Sequence, residues 1–382
     1  MADVRAFPGL RYDAGRVGGL AAVVAPPYDV IPENQVPEYR ERSPWNVIRL
    51  TRPGTDYEAA AAALAEWQRE GVLKRDAPSM YLHEVGFDGR RRRDLVAALR
   101  LQPYADRVVL PHELTHRGPK ADRLALMRAT GAALEPLWFL YEGDGGTLPG
   151  LLEAAFAAPP ELEFEFAPGE RHRWWAIADP AWHRRVTAAL GEQPVLIADG
   201  HHRYETALAY SEERGGSPDA AARFTPAILT DLADPGLVVL PTHRLLRTGV
   251  AVTGGEDAGS LGETLQRLEG RVAAGVYRDG RFQVLELEGE VPVVELHRQV
   301  VDNILGRKSP EENLYYTRDA REAVGEVDSG RAVSAFFLPA PDLGVVLRQA
   351  REGITFPQKT TYFHPKPPSG MVFHTLDTDR VL

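Results

Sequence analysis

The residues best suited to chemistry follow a short apolar run, Val195 to Ala198. The next five, Asp199 to Arg203, read Asp-Gly-His-His-Arg, and Tyr204, Ala207 and Leu208 then recur at helical spacing. The pattern predicts a buried strand, a glycine turn and an amphipathic helix that begins with two histidines and an arginine. The first turn of a helix favours an anion, and a guanidinium adds bidentate donors, so this stretch predicts a phosphate cradle. The alternatives are a surface turn whose polar groups are satisfied internally, or half of a metal site.

A second polar stretch contains His112-Glu113-Leu114-Thr115-His116, which matches the His-Glu-x-x-His signature of zinc proteases. That signature works when both histidines lie one turn apart on a continuous helix and a third ligand comes from elsewhere. Here Pro111 precedes the segment and Gly118-Pro119 ends it, which leaves too little room for a long helix. We therefore disfavour zinc hydrolysis, for which Glu135 would be the third ligand.

Polar residues also open the next predicted helix, Ala121 to Thr130. Lys120, Asp122 and Arg123 lie at its start, after the Gly-Pro break. A carboxylate with several cations near bound phosphate is suited to phosphoryl transfer, where positioning and charge neutralisation dominate. The alternative is an exposed helix start with ordinary ion pairs.

Three further segments carry polar side chains in stiff or terminal positions. One is a proline-rich turn over 26–31, one is the end of a strand predicted over 237–246, and one is a proline-stiffened loop over 356–373. We predict that the last of these closes over the site, although it could instead be a terminal segment that docks for stability. The polar residues concerned are Tyr28, Asp29, Thr242, His243, Arg244, Lys359, Tyr362 and Lys366.

Composition narrows the function classes. The chain has 382 residues, 44% of them hydrophobic and 26% charged, as is usual for a globular protein. A formal charge of −10 disfavours nucleic acid as a partner. The absence of cysteine excludes disulfides, iron–sulfur clusters and cysteine-based zinc sites. Neither a signal-peptide pattern nor an apolar run of membrane-spanning length is present, so we expect a cytoplasmic protein with a small-molecule substrate.

Strand and helix patterns alternate along the chain and predict a mixed α/β fold. We predict a main α/β domain over 1–250 that carries the phosphate motif, and a smaller α/β part over 251–382 that folds back on it. The segment Gly254 to Gly259 is the best candidate linker. Further predictions are a strand at 46–50, a solvated arginine turn at 89–93 and a helix over 314–327.

Several of these motifs together resemble one family. They are Ala25 to Ile31, His112-Glu113-x-Thr115 with Pro119-Lys120-x-Asp122-Arg123, Ala198 to Glu205, Pro241 to Arg244, and Lys359 to Lys366. In this order they resemble the large bacterial and archaeal family catalogued as a domain of unknown function, number ten-fifteen. The resemblance spans nearly the whole chain and implies no activity by itself.

The strand, turn and Gly-His-His-Arg helix start are also similar to the nucleotide-phosphate motif of the ParB/sulfiredoxin superfamily. That resemblance covers 195–210 and implies a ParB/sulfiredoxin-like core with large insertions. Members include a CTP-hydrolysing DNA clamp, sulfiredoxin and kinases of free serine. A resemblance to sulfiredoxin would imply a cysteine-dependent reaction. A resemblance to the DNA clamp would imply a helix-turn-helix and a basic surface. Because this chain lacks cysteine and shows neither feature clearly, the resemblance favours the kinase.

The favoured hypothesis is a nucleotide-dependent phosphotransferase on a small hydroxylated metabolite, with free L-serine as the substrate that the resemblance favours. ATP or ADP and Mg²⁺ are the suspected cofactors. The alternatives are a phosphatase of a small phosphoester such as phosphoserine, and a non-catalytic nucleotide-binding regulatory module. The sequence does not fix the oligomeric state.

Each candidate residue has a role in this hypothesis. Asp199, Gly200, His201, His202 and Arg203 hold the nucleotide phosphates. Glu113 or Asp29 accepts the proton of the attacking hydroxyl, and Asp199 or Asp122 helps to hold Mg²⁺. Cationic side chains neutralise charge in the transition state, and further polar groups support the site. The cations are Lys120, Arg123, Lys359 and Lys366, and the supporting residues are His112, Thr115, Tyr28, Thr242, His243, Arg244 and Tyr362.

Overall fold

The structure is a computed structural model that describes residues 2–113, 117–143, 145–191, 193–248, 255–305, 313–377 and 381–382. The chain forms two compact units. Unit 1 comprises Met1–Pro111, Thr115–Leu237 and Pro365–Leu382, and unit 2 comprises His112–Leu114 and Val238–His364. The predicted boundary at 250/251 lies outside the described residues. The two units divide at 237/238, and the last 18 residues, 365–382, belong to unit 1.

Unit 1 is built on a large mixed sheet with helices. Its helices are α1 Ala14–Val17, α2 Val36–Arg42, α3 Ile48–Thr51, α4 Tyr57–Arg69, α5 Arg117–Thr130, α6 Thr147–Phe156, α7 Pro180–Leu190 and α8 His201–Arg214. Its strands are β1 Val4–Arg5, β2 Leu10–Tyr12, β3 Leu73–Arg75, β4 Met80–Phe87, β5 Arg90–Arg100, β6 Val109–Leu110, β7 Ala132–Ala133, β8 Leu137–Tyr141, β9 Leu162–Ala167, β10 Glu170–Ile177, β11 Val195–Asp199, β12 Phe224–Asp231 and β21 His374–Thr375.

The main sheet of unit 1 has nine strands in the order β6-β11-β8-β12-β5-β4-β10-β9, with β1 paired to β5. Strand β11 runs parallel to β6 and antiparallel to β8, and β8 runs parallel to β12. Apolar residues fill both faces of the central strands, and Leu95 to Leu99 of β5 are fully buried. This burial explains why those strands read as continuous apolar runs rather than as alternating patterns. The sheet thereby fixes the end of β11, from which the phosphate motif begins.

Unit 2 is a smaller α/β unit with its own core. Its strands are β13 Val238–Leu240, β14 His243–Leu246, β15 Glu256–Ala258, β16 Ala273–Arg278, β17 Arg281–Glu286, β18 Leu314–Thr317, β19 Ser334–Phe337 and β20 Tyr362–His364. Its helices are α9 Leu261–Leu268, α10 Pro292–Leu296, α11 Asp302–Leu305, α12 Ala320–Asp328 and α13 Leu343–Glu352. Six strands form an antiparallel sheet in the order β15-β17-β16-β19-β14-β18, and β13 pairs separately with β20. A buried cluster that includes Leu245, Tyr277 and Phe337 packs on this sheet.

The predicted mixed α/β class is confirmed. The sequence patterns over 180–190, 224–231 and 261–268 predict a helix, a strand and a helix, and α7, β12 and α9 have these bounds. None of the helices in the described part of the chain is long and apolar enough to cross a membrane.

Four local predictions are wrong, each because tertiary context overrides a short pattern. The segment 46–50 is not a strand but leads into α3, whose turn begins where the Asn46 side chain accepts a hydrogen bond from the Ile48 N–H at 3.0 Å. The strand predicted over 237–246 is two strands in different sheets, separated at Pro241. The helix predicted over 314–327 begins as β18, because its tyrosines pair with β14. The arginine turn at 89–93 lies mostly within β5, where Arg92 is fully buried.

Candidate functional site

The phosphate motif lies where β11 passes into α8. Asp199 ends the strand, Gly200 has φ +102° and ψ +30°, and His201 begins the helix. A Cβ at Gly200 would lie 2.8 Å from Cδ2 of Leu137, which is itself buried. Glycine is therefore required for both conformation and space. The N-cap residue of this 14-residue helix is Gly200 itself, which has no side chain to cap the positive end of the helix dipole.

The Asp199 carboxylate binds two cations. Arg203 Nη2 donates to Asp199 Oδ2 at 2.6 Å, and Lys366 Nζ forms an ion pair with Asp199 Oδ1. Lys366 Nζ also lies 3.5 Å from Asp29 Oδ2. Only 8% of the Lys366 side chain is exposed, against 31% for Asp29. Asp199 thus positions an ammonium group between two carboxylates.

Arg203 is turned into the protein. Its Nη1 donates to the Pro136 carbonyl at 2.9 Å, and 12% of its side chain is exposed. Burial by itself lowers the pKa of Arg203, but the negative charges of Glu135, Asp199 and Asp29 outweigh it and raise the pKa above its ordinary value. Arg203 therefore stays charged, and its guanidinium binds Asp199 in this structure.

The predicted turn at Tyr28 and Asp29 belongs to the same group. Glu135 accepts hydrogen bonds from the Tyr28 N–H at 3.1 Å and from the Ser369 hydroxyl. Burial raises the pKa of Tyr28 to about 12, although the positive charge of Arg203 partly opposes the shift. Tyr28 is therefore a neutral hydrogen-bonding group at physiological pH rather than a base.

The start of α5 supplies the predicted Lys120, Asp122 and Arg123. Lys120 Nζ pairs with Glu205 of α8, and Tyr57 donates its hydroxyl to Asp122 Oδ1 at 2.7 Å. Arg123 Nε donates to Asp122 Oδ2 at 2.8 Å. The Arg123 guanidinium also lies 4.3 Å from the centre of the Tyr28 ring, a cation–π distance.

An open cleft of about 920 Å³ adjoins these groups. Tyr28, Asp29, Asp122 and Arg123 line it, together with Arg40 and Arg52. Glu33 and Glu41 line it as well, so the cleft presents four carboxylates and three guanidinium groups to a ligand. Asp29 connects it to Lys366, and through Lys366 to the start of α8.

A buried polar network fixes the backbone next to Lys366. Arg92 Nη1 donates to the Pro365 carbonyl at 2.8 Å, and Arg92 Nε donates to Asp94 Oδ1 at 3.0 Å. Burial opposes ionisation of Asp94, but the positive charge of Arg92 and a hydrogen bond from His83 lower its pKa to about 2. The buried Arg92–Asp94 pair therefore holds the chain at the residue that precedes Lys366.

The sequence prediction missed the roles of Glu135, Ser369, Arg92 and Asp94. The sequence suggests only a zinc-ligand role for Glu135, although a glutamate two residues before a buried strand is placed to supply a buried counter-charge. Arg92 belongs to a run of four arginines. Only their positions along β5 distinguish the buried arginine from the exposed ones.

A second group of predicted residues lies in unit 2. Glu113 Oε1 accepts hydrogen bonds from the N–H groups of Thr360 and Thr361 at 3.0 and 3.4 Å. The ring of the buried His112 shares a hydrogen bond with the Thr361 hydroxyl at 2.8 Å. Thr115 lies outside the described residues.

The other predicted side chains of unit 2 are largely enclosed. Burial, and then the charge of Arg244, lower the pKa of His243 to about 4, so this histidine is neutral at pH 7. The Arg318 guanidinium lies 4.1 Å from the centre of the Tyr362 ring. Lys359 has φ +55°, an uncommon conformation for a residue with a side chain. Thr242 and Arg244 are both buried.

The predicted magnesium ligands do not fit a protein-held metal site as they stand. Asp199 already binds Arg203 and Lys366, and Asp122 binds Tyr57 and Arg123. Among the described residues, no group of three or more histidine, aspartate or glutamate side chains is placed to hold a metal ion. In this structure the two aspartates are therefore engaged as ion-pair and hydrogen-bond partners rather than as metal ligands.

Comparison with known proteins identifies the family. The family described as "Protein of unknown function (DUF1015)" matches residues 4–318. The chain belongs to this family, which confirms the family predicted from its motifs. A comparison with curated proteins found no match.

Several solved structures are similar to the chain at low identity. A mutant of free serine kinase in complex with AMP is 14% identical, and the alignment covers 76% of this chain and 94% of that one with a TM-score of 0.44. A conserved hypothetical protein from Pyrococcus furiosus is 15% identical, with coverages of 73% and 94% and a TM-score of 0.38. SbnI from Staphylococcus aureus, with a C-terminal truncation, is 9% identical, with coverages of 75% and 90% and a TM-score of 0.39.

Proposed function

We propose that this member of the family is a nucleotide-dependent phosphotransferase that acts on a small hydroxylated metabolite, with free L-serine as the first substrate to test. The observation that carries the proposal is the start of α8. Strand β11 leads into a helix whose N-cap residue is Gly200, where the positive φ and the close approach of Leu137 exclude a side chain. Backbone N–H groups and a helix dipole at such a point suit phosphate oxygens.

The side chains around this helix start supply the charge that phosphoryl transfer needs. Lys366 lies at Asp199, the residue that precedes Gly200, and is nearly buried. An ammonium group in a site of low water content stabilises negative charge that develops on the transferred phosphoryl group. Arg123 faces the cleft and adds a second positive charge.

Asp29 is the carboxylate of unit 1 that best fits the role of proton acceptor. It lines the cleft and keeps partial exposure, so an acceptor hydroxyl can reach it. As the hydroxyl oxygen forms the new bond to phosphorus, the bond from phosphorus to the leaving phosphate oxygen breaks, and the hydroxyl proton passes to the carboxylate. The other predicted base, Glu113, is held by two backbone N–H groups in unit 2 and stays an alternative.

Phosphorus NMR of three reaction mixtures tests the proposal. The first holds protein, ATP, Mg²⁺ and L-serine, the second replaces ATP with ADP, and the third holds phosphoserine alone. A phosphoserine signal in the first or second mixture supports the phosphotransferase and identifies its donor. Release of inorganic phosphate in the third mixture, which has no nucleotide, would contradict the phosphotransferase and show a phosphatase. Nucleotide binding without turnover of serine or other small hydroxylated metabolites would contradict the proposal and favour a regulatory module.

A further inference from the structure

Arg244 of β14 carries a fully buried positive charge in unit 2. Its guanidinium donates to three backbone carbonyls, those of Thr242, Gln358 at 3.3 Å and Lys359 at 3.0 Å. Its Nε has no hydrogen-bond partner among the residues that the structure describes. Burial lowers the pKa of Arg244 to about 10, so the side chain is still cationic at pH 7.

No carboxylate of the described residues forms an ion pair with Arg244. Glu113 acts on it only through its charge, because the Glu113 carboxylate accepts hydrogen bonds from the N–H groups of Thr360 and Thr361. Carbonyl oxygens solvate the guanidinium but do not neutralise it. A buried charge without a paired counter-charge is costly, and such charges are normally paired.

Arg244 lines a cavity of about 240 Å³ within unit 2. Thr242, which is 5% exposed, also lines it, and its hydroxyl oxygen likewise has no hydrogen-bond partner in the described part of the chain. Two buried polar side chains with unused hydrogen-bonding atoms therefore border the same cavity. Much of the remaining lining is apolar, with Val272, Val293 and Leu338 among it.

The acidic residues that border the cavity already have partners. Asp342 caps α13 by accepting hydrogen bonds from the N–H groups of Gly344 at 2.7 Å and Val345 at 3.2 Å. Glu290 accepts a hydrogen bond from Arg348 at 3.1 Å. Both carboxylates are thus engaged with other groups, whereas the buried Arg244 keeps a donor atom without a partner in the described residues, and a cationic donor suits an anion.

We propose that this cavity binds an oxyanion, the carboxylate or phosphate group of a small molecule, with Arg244 Nε and the Thr242 hydroxyl as donors. A guanidinium and a hydroxyl both donate to either group, and a charge-assisted bond to an oxyanion is stronger than a neutral one. Ligand pockets for drug-sized molecules are usually about 300–1,000 Å³, so this smaller cavity suits a small organic anion or free phosphate better than a nucleotide. The site lies within unit 2 and is independent of the function proposed for α8.

Arginine side-chain NMR of the full chain tests this site directly. The Arg244 Nε–H resonance is identified by its disappearance in Arg244→Lys, and inorganic phosphate and succinate are titrated separately. We expect a saturable shift of this resonance with at least one probe, and the probe that produces it shows whether phosphate or carboxylate is the preferred group. Chloride at equal ionic strength should leave the resonance in place. No saturable shift with either probe, or the same shift with chloride, would overturn the proposal.

Thr242→Val provides a second test, because it should weaken ligand binding without lowering the stability of the ligand-free protein. The variant keeps the shape of the side chain and removes a hydroxyl that has no partner in the described residues, so the ligand-free melting temperature should be unchanged or higher. Affinity for the bound probe should fall about tenfold, the effect of one lost hydrogen bond of about 1.4 kcal/mol. A lower melting temperature with unchanged affinity would make the hydroxyl structural. Failure of nucleotides to bind at α8 would alter neither readout, which separates this proposal from the phosphotransferase.

Discussion

Replacing Gly200 with alanine tests why the phosphate motif requires glycine. The new Cβ would lie 2.8 Å from Leu137 Cδ2, a distance at which something must move, and Leu137 is buried. A left-handed conformation costs a non-glycine residue about 1–2 kcal/mol, and overpacking a core contact costs about 1–3 kcal/mol more. We therefore expect Gly200→Ala to lower the free energy of unfolding by about 2–5 kcal/mol.

Gly18→Ala is the matched control. Gly18 also has a left-handed conformation, with φ +71°, and lies in the same unit, but a Cβ there would meet nothing within 4 Å. Gly18→Ala should lower the free energy of unfolding only by the backbone cost of about 1–2 kcal/mol. Urea unfolding of both variants measures the difference, with the transition of unit 1 analysed separately if the two units unfold apart.

A Leu137→Ala background isolates the steric part. Removing the Leu137 side chain creates its own cavity cost, but Gly200→Ala should then cost less than in the wild-type background, and the contact of the new Cβ with Arg203 Nη2 at 3.2 Å remains. Equal losses for Gly200→Ala and Gly18→Ala in the wild-type background would refute the close approach as the reason for glycine. An undiminished loss in the Leu137→Ala background would refute Leu137 as the obstacle.

Two further predictions concern Lys366 and the network that holds its loop. Lys366→Met should lower phosphoryl-transfer turnover about 100-fold or more by removing a nearly buried cation, whereas Lys74→Met, at a mostly exposed lysine paired with Asp13, should stay within about twofold. Similar turnover for the two variants would show that Lys366 takes no part in the reaction. Asp94→Asn tests the buried Arg92–Asp94 pair. The pKa of Asp94 is lowered from 3.8 to about 2, so its ionisation stabilises the fold above pH 3.8. This stabilisation is lost as the pH falls through about 2. The gap in unfolding free energy between wild type and Asp94→Asn should narrow by about 1 kcal/mol from about pH 6 to pH 3, and a constant gap in urea titrations would contradict the shift.

Local sequence signals predicted the elements that carry the phosphate motif. Val195 to Ala198 lie in the buried β11, Gly200 has the positive φ expected of the turn, and α8 begins directly after it. These features are encoded over a few adjacent residues, by apolar runs and by the steric freedom of glycine. The same applies to α7 and β12, whose ends are marked by a capping aspartate and by polar residues.

The partners of the site could not be predicted in the same way, because they are distant in sequence. Lys366 and Asp199 are 167 positions apart, and the bond from Arg92 to the Pro365 carbonyl spans 273 positions. The spacing of residues does not show which aspartate a lysine will bind, nor that one arginine in a run of four is buried. Arg203, predicted to bind phosphate, illustrates the same limit, since its guanidinium donates to the Pro136 carbonyl, 67 positions away, and lies near the charge of Glu135.

Hydrogen exchange at the start of α8 tests the central claim most directly. ADP is added to the protein, and exchange is followed by mass spectrometry in peptides that cover Gly200 to Thr206, with α7 as the internal reference. If phosphate oxygens accept hydrogen bonds from the backbone at this helix start, ADP should slow exchange there and leave α7 unchanged. Unchanged exchange at 200–206, either with ADP bound elsewhere on the protein or with no ADP bound at all, would contradict the claim.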